Sequence, residues 1–336
     1  MKFLFVNSKE TYRGKIQKAR DACAAGGVHA DLWSEESKDG IVDYAISNGY
    51  SALIHRNEHG RLFADGSLPW AREAVGKGLP VLSMDFGYFD HYKTVAFDFY
   101  RRDLSSGIHE QWAGLPTAVH WDKAPRYVRK FRAACLEKIA RADGSAYAGK
   151  VGVWMQWNTN LLRPELEAPM QQWEWINRVC GKISVLGLDP VVKMGIVDHS
   201  EIYKRTVPKI EAGIKLVSDK AKIATSNPRA AYDPHANWRM LAGCSYHVIL
   251  CSSVSHLMVL TDRPVIATGQ SWFNALRVFD EYVEWNSPLV RPAVNHEARS
   301  KWVNWWLQKQ APWAEAPKRL LETLEAAKSY FRETSS

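Results

Sequence analysis

The chain reads as an α/β protein of two doubly wound, Rossmann-like domains facing across a cleft, with helices at the C-terminal end. Three observations predict this. Short apolar, β-branched runs alternate with amphipathic stretches through residues 2–84, which is the grammar of a parallel sheet covered by helices. The same alternation restarts at Val151, after a Gly-, Ala- and Ser-rich segment at 142–150 with no apolar face. A length of 336 residues, 46% hydrophobic and 24% charged, suffices for two separate cores.

In the first half, 2–6 is a strand and 12–25 is helical in pattern, stopped by Gly26-Gly27. Strands follow at 28–33, 52–55 and 80–84, separated by helices at 40–49 and 69–78. In the second half the strands are 151–155, 190–192, 214–217, 222–224, 247–251 and 264–267. The helices are 169–180, 201–212 and 236–242. Trp302, Trp305 and Trp306 recur at helical spacing, and Leu320, Leu321, Leu324, Ala327 and Phe331 form an apolar stripe. These features divide the chain into domains 1–145 and 150–310 and a helix within 311–336 that packs across both.

Composition narrows the chemistry. A formal charge of +8 suits an anionic partner, whether nucleic acid, sugar nucleotide or membrane surface. The segment 123–141 concentrates Lys123, Arg126, Arg129, Lys130, Arg132, Lys138 and Arg141, interleaved with Tyr127 and Phe131, as a face that tracks phosphates or is simply solvated. Cys23, Cys135, Cys180, Cys244 and Cys251 are scattered and odd in number, which predicts reduced, buried thiols and a cytoplasmic location. The apolar start at 1–7 is interrupted by Ser8-Lys9-Glu10, and no run reaches membrane-spanning length. Asn7-Ser8-Lys9 follows the first strand where a dinucleotide fold needs glycines, so NAD is not expected.

Residues 246–269 read as strand, polar turn, helix, strand. Ser252, Ser253, Ser255 and His256 fall where the helix begins, and unpaired N–H groups there suit a diphosphate, although a serine at that position also serves as a plain cap. Ser226-Asn227-Pro228-Arg229 follows an expected strand and pairs a turn with an arginine suited to phosphate, the alternative being a surface turn. His55 and Arg56 end another strand and are placed to grip an acceptor or a phosphate. His55 and His59 have metal-binding spacing only on a helix, which Gly60 and the strand argue against. No metal and no cofactor are expected, since no Asp-x-Asp pair is present.

Two such domains resemble the glycosyltransferases of the GT-B class. The resemblance is architectural over most of the chain and sharper at Leu241-Ala-Gly-Cys244, 248–251, Ser252-Ser253 and Arg263-Pro-Val-Ile266, which look like the segment of capsule-type transferases that binds a nucleotide diphosphate. The chain departs from that pattern in lacking an acidic residue on the helix carrying His256–Met258. The resemblance implies a nucleotide sugar, a UDP-sugar first, as co-substrate in the C-terminal domain, with Gln156 in a loop near its phosphates. It implies an acceptor and a catalytic base in the N-terminal domain. Leu82-Ser-Met-Asp85-Phe-Gly-Tyr-Phe-Asp90-His91 is similar to the site in phage DNA β-glucosyltransferases, where an Asp follows a strand. Asp85 is the matching base, with Asp90 and His91 as the fallback. The expected acceptor is a hydroxymethylated pyrimidine in double-stranded DNA, extruded beside Tyr88 and held by Arg126, Arg129 and Lys130. The rival readings are a transferase of surface polysaccharide or glycolipid assembly, peripheral on a membrane through 301–306, and a non-catalytic two-domain ligand binder. The protein is expected to be a monomer without integral membrane association.

Overall fold

The computed structural model describes residues 1–6, 13–33, 37–56, 69–86, 89, 93–101, 111–155, 172–194, 206–227, 229–249, 254–260, 263–268, 281–282, 289 and 293–334. The chain begins with β1 (Lys2–Val6), α1 (Arg13–Ala25), β2 (His29–Trp33), α2 (Ile41–Ser47), β3 (Ala52–Arg56), α3 (Pro69–Gly76), β4 (Val81–Phe86) and β5 (Thr94–Phe99). After α4 (Arg126–Arg141) come β6 (Val151–Trp154), α5 (Gln172–Val185), β7 (Pro190–Lys193), β8 (Lys215–Ser218), α6 (Ala221–Ser226) and β9 (Ala230–Tyr232). There follow α7 (Ala236–Gly243), β10 (Tyr246–Ile249), α8 (Ser255–Leu260), β11 (Val265–Ala267) and β12 (Glu281–Tyr282), then α9 (His296–Lys309), β13 (Gln310–Pro312) and α10 (Ala316–Glu333).

Two compact units result: Met1–Val128 with Ser300–Ser336, and Arg129–Arg299. Their boundaries fall inside α4 and α9, not at 142–150. That segment is anchored within the second unit. Tyr147 is buried and donates to Asp233 Oδ2 at 2.8 Å, and Gly144 meets Gly243 so closely that a Cβ on Gly243 would lie 2.1 Å from the Gly144 carbonyl oxygen. Gly144 and Gly243 let the two backbones touch.

The first sheet has the order β13-β5-β4-β3-β1-β2. Strands β2, β1, β3 and β4 are parallel, while β5 runs antiparallel to β4 and β13 antiparallel to β5. One face packs Phe3, Phe5, Ile54, Leu82, Met84, Phe97 and Phe99 under α1 and α10. The other packs Leu4, Val6, Leu53 and Val81 under α2 and α3. Of the stripe on α10, Leu320, Leu324 and Ala327 are wholly buried in the core of the first unit. Trp302, Trp305 and Trp306 are likewise buried; Trp302 stacks on Trp305, and Trp306 meets both edge-on.

The second sheet, β12-β11-β10-β6-β7-β8-β9, is parallel throughout. From β6 the chain winds outward through β7, β8 and β9, then returns to β10 on the other side of β6. The strand order therefore reverses between β6 and β10. Two local expectations differ. Residues 222–224 lie in α6, where Ala221-Lys-Ile-Ala favours helix, and the described end of the 201–212 stretch is a 3-10 turn, Val207–Lys209, opened by Pro208.

Because α10 completes the first core, Leu320→Ala and Leu324→Ala should each destabilise that unit by about 2–5 kcal/mol. Urea denaturation monitored by tryptophan fluorescence measures this, and losses near 0.5 kcal/mol or less, the usual scale of surface changes, would show that the helix is peripheral.

Candidate functional site

In open α/β sheets ligands bind outside the carboxyl ends of the strands, where the strand order reverses. In the second sheet that point lies between β6 and β10. In sequence, 156 and 250–253 follow the ends of these two strands; Gln156, Ser252 and Ser253 lie outside the described residues. Ser255 opens α8; its side chain and that of His256 also lie outside the description.

The described part of this edge is polar and tightly bonded. At the end of β7, Lys193 is 3% exposed and donates to the Met194 carbonyl at 2.7 Å and to Asp219 Oδ1 at 3.0 Å. Asn237 Nδ2 donates to the other oxygen of Asp219 at 3.2 Å. Burial pulls the Lys193 ammonium below its ordinary value and Asp219 opposes the shift. After β11, Thr268 donates to the Ile249 carbonyl at 3.3 Å and accepts from Trp175 Nε1 at 2.8 Å, tying β11 to the end of β10. Lys193 and Asp219 escaped sequence reading because each is a lone charge after an apolar run. Their signal was position: both sit at strand ends.

Behind this edge, His247 is wholly buried on β10. Trp154 Nε1 donates to its Nδ1 at 3.1 Å, so the imidazole is neutral with its proton on Nε2, for which the structure offers no acceptor. Gly152 makes room for it: a Cβ there would lie 2.6 Å from His247 Nδ1. Burial first, then the charges of Arg263 and Arg299, push the imidazolium down to about 3.

Arg229 and Ser226 fall elsewhere than expected. Ser226 ends α6 and Arg229 lies in the turn before β9, at the amino end of that strand, because the preceding element is a helix. The Arg229 guanidinium donates to the carbonyls of Ile210 at 2.8 Å, Val207 at 3.3 Å and Glu211 at 2.6 Å. Its donors brace a loop and are not directed at a phosphate. The Ser226 side chain lies outside the description.

In the first unit the apolar face of β3 and β4 turns polar toward the carboxyl ends. Alternation puts Leu53 and His55, and Val81, Ser83 and Asp85, on one side. The register aligns His55 with Ser83, Ser83 with Asp98, and Asp85 with Ala96. His55, expected to grip an acceptor, is 2% exposed. It sits 2.9 Å from the Tyr100 hydroxyl, stacks on Tyr100 and meets the edge of Trp70, so it positions the phenol. Burial raises the Tyr100 phenol well above its ordinary value, a Ser83 hydrogen bond opposes this, and the charges of Asp98 and Asp85 add to it. Lys309 Nζ lies 3.8 Å from Asp98 Oδ1, a nearly buried pair. Asp85 is half-buried beside this cluster. Tyr88, Asp90, His91 and the Arg56 side chain lie outside the described residues.

On α4, Arg126, Arg129 and Lys130 are exposed at i, i+3 and i+4 spacing, so they share a stripe. Among the described residues, no group of three or more His, Cys, Asp or Glu is placed to hold a metal, and no helix is long and apolar enough to cross a membrane. Cys23, Cys180 and Cys244 are buried, and burial pushes each thiol up to about 12.

The two doubly wound sheets with their helical C-terminal segment define a fold of the GT-B type. The chain is similar to two solved structures of KpsC from Thermosulfurimonas dismutans. The β-Kdo 2,7 transferase is 10% identical over 96% of this chain and 99% of that one, with a TM-score of 0.51. The β-Kdo 2,4 transferase is 10% identical over 88% and 89%, with a TM-score of 0.50. No protein-family model and no curated protein sequence matches the chain.

The His247 environment sets a pH dependence. Between about pH 6.5 and 3 the unfolded histidine binds a proton that the folded one refuses, so stability is fully present above 6.5 and falls as the pH drops through that window, by up to about 1.4 kcal/mol per pH unit. Urea midpoints across that range should fall less steeply for His247→Gln. Parallel profiles for the two proteins would contradict the assignment.

Proposed function

We propose that this protein is a glycosyltransferase that moves a sugar from a nucleotide sugar to a hydroxyl acceptor. The observation that carries the reading is the reversal of strand order between β6 and β10, which leads two strand ends into Gln156 and the serine-rich segment 252–255. The donor's diphosphate is held there, by backbone N–H groups and serine hydroxyls at the start of α8. Lys193 and Asp219 fix the neighbouring strand ends as a rigid wall. Fold likeness to Kdo transferases supports sugar transfer as the reaction class.

The first unit supplies the acceptor side. Asp85 takes the proton from the attacking hydroxyl as the bond from the anomeric carbon to the diphosphate breaks. The proton passes to the Asp85 carboxylate and the electron pair leaves with the nucleotide. Tyr100, Asp98 and Ser83 surround the base on the same face. The acceptor in this reading is a glycan hydroxyl, as in polysaccharide or glycolipid assembly, because the fold likeness is to sugar-acid transferases. A second reading, transfer to a hydroxymethylated base in DNA, is favoured by the exposed stripe of Arg126, Arg129 and Lys130.

Thermal-shift screening with UDP-, GDP-, CMP- and dTDP-sugars identifies the donor, and transfer is then assayed on acidic oligosaccharides and on hydroxymethylated DNA. Asp85→Asn should slow transfer by about 10²–10⁴-fold while donor binding stays unchanged. Full activity in that variant would remove Asp85 as the base, and no stabilisation by any nucleotide sugar would overturn the transferase reading.

A further inference from the structure

A cavity of about 810 Å³ opens at the opposite end of the first unit from Asp85. It lies at the amino ends of β3 and β4, where Ser51 and Leu79-Pro80 enter the sheet, and α10 closes it with Lys328, Phe331 and Arg332. Sites belonging to the fold's usual ligands lie at the other edge, so this cavity is independent of the transfer reaction. Its size and lining are those of a ligand pocket, mostly apolar with a few converging polar groups.

The chemistry divides along its length. Val75, Leu79, Pro80 and Phe331 provide an apolar wall, with the Tyr50 ring beside them. That ring is held in place: its hydroxyl donates to Asp31 at 2.6 Å and Lys2 lies 4.1 Å over its centre. Lys328 and Arg332 stand one turn apart on α10. Among the described residues Lys328 pairs with Glu325, at 3.2 Å and largely exposed, a contact worth little. The Arg332 guanidinium forms no ion pair among the described residues. Tyr44 on α2 is 43% exposed. Tyr44 packs against Tyr50, and the Lys2 carbonyl that follows Met1 accepts from Ser51.

We propose that this cavity binds an anionic amphiphile: an aliphatic chain ending in a phosphate, with the chain along Val75, Leu79 and Phe331 and the head on Lys328 and Arg332. An apolar wall alone would take any hydrophobe, and two cations alone any anion. Their juxtaposition selects a molecule that carries both.

Isothermal titration calorimetry with dodecyl phosphate below its micellar concentration tests this on the full chain. Saturable binding at one site is expected, with inorganic phosphate and neutral dodecyl maltoside each weaker by at least about tenfold, or 1.4 kcal/mol. The double variant Lys328→Gln/Arg332→Gln should lose about tenfold in affinity. Gly76→Phe should block the cavity without unfolding the protein, since no heavy atom lies within 4 Å of a Cβ at Gly76. Binding unchanged by Gly76→Phe would overturn the proposal. So would inorganic phosphate binding as tightly as dodecyl phosphate. Adsorption to phosphatidylglycerol vesicles without binding of the monomeric amphiphile would overturn it as well, because net positive charge explains that outcome.

Discussion

The structure depends on the parallel pairing of strands in both sheets. Parallel winding covers both faces with helices, so strand interiors must be apolar on either side, and polar groups have room chiefly where the strands end. The second sheet shows the rule in one row: Val151, Val153, Val192, Leu216 and Val248 fill the interior, while Lys193, Asp219 and Thr268 cluster at the carboxyl ends. The first sheet follows it along β3 and β4, where Leu53 and Val81 give way to His55, Ser83 and Asp85. A charge buried at such a place is costly unless paired, and the pairing is visible in Lys193 with Asp219 and Lys309 with Asp98.

The same constraint explains what the amino acid sequence revealed. Strands β1, β3, β4, β6 and β10 each carry a short apolar run, and their order and type followed from that pattern. β5 was not legible: Thr94-Val-Ala-Phe-Asp-Phe99 carries a charge inside the run, and the ion pair with Lys309 that makes Asp98 tolerable comes from more than two hundred residues away. The second unit's start was misplaced for a related reason. The segment 142–150 was read as the boundary between domains, and only the facing Gly243 explains Gly144 as a close contact. The strand expected at 222–224 failed because the three residues Lys222, Ile223 and Ala224 carry no period.

The candidate site divides in the same way. Asp85, Ser252 and Ser253 were chosen because each follows an expected strand end; Asp85 falls within β4, and the two serines lie outside the described residues. His55 met that criterion as well, yet its side chain turns onto Tyr100 and Trp70 instead of toward solvent, a distinction that needs the neighbouring strand's register. Arg229 failed because its turn leads into a strand instead of out of one. Lys193, Asp219, Asp98 and Tyr100 had no motif around them, and only the three-dimensional convergence of separate strand ends marks them.

The two ends of the first unit thus carry different chemistry, a carboxylate among bonded polar groups at one and an apolar cavity rimmed by cations at the other. The reversal of strand order in the second unit is the feature on which the transfer reading stands. Hydrogen–deuterium exchange of the full chain with and without its best nucleotide-sugar ligand tests that feature most directly. The account predicts slowed exchange in peptides covering residues 154–158 and 249–256, the two segments that leave β6 and β10. Protection confined to the turn before β9, or to the amino ends of the strands, would contradict it.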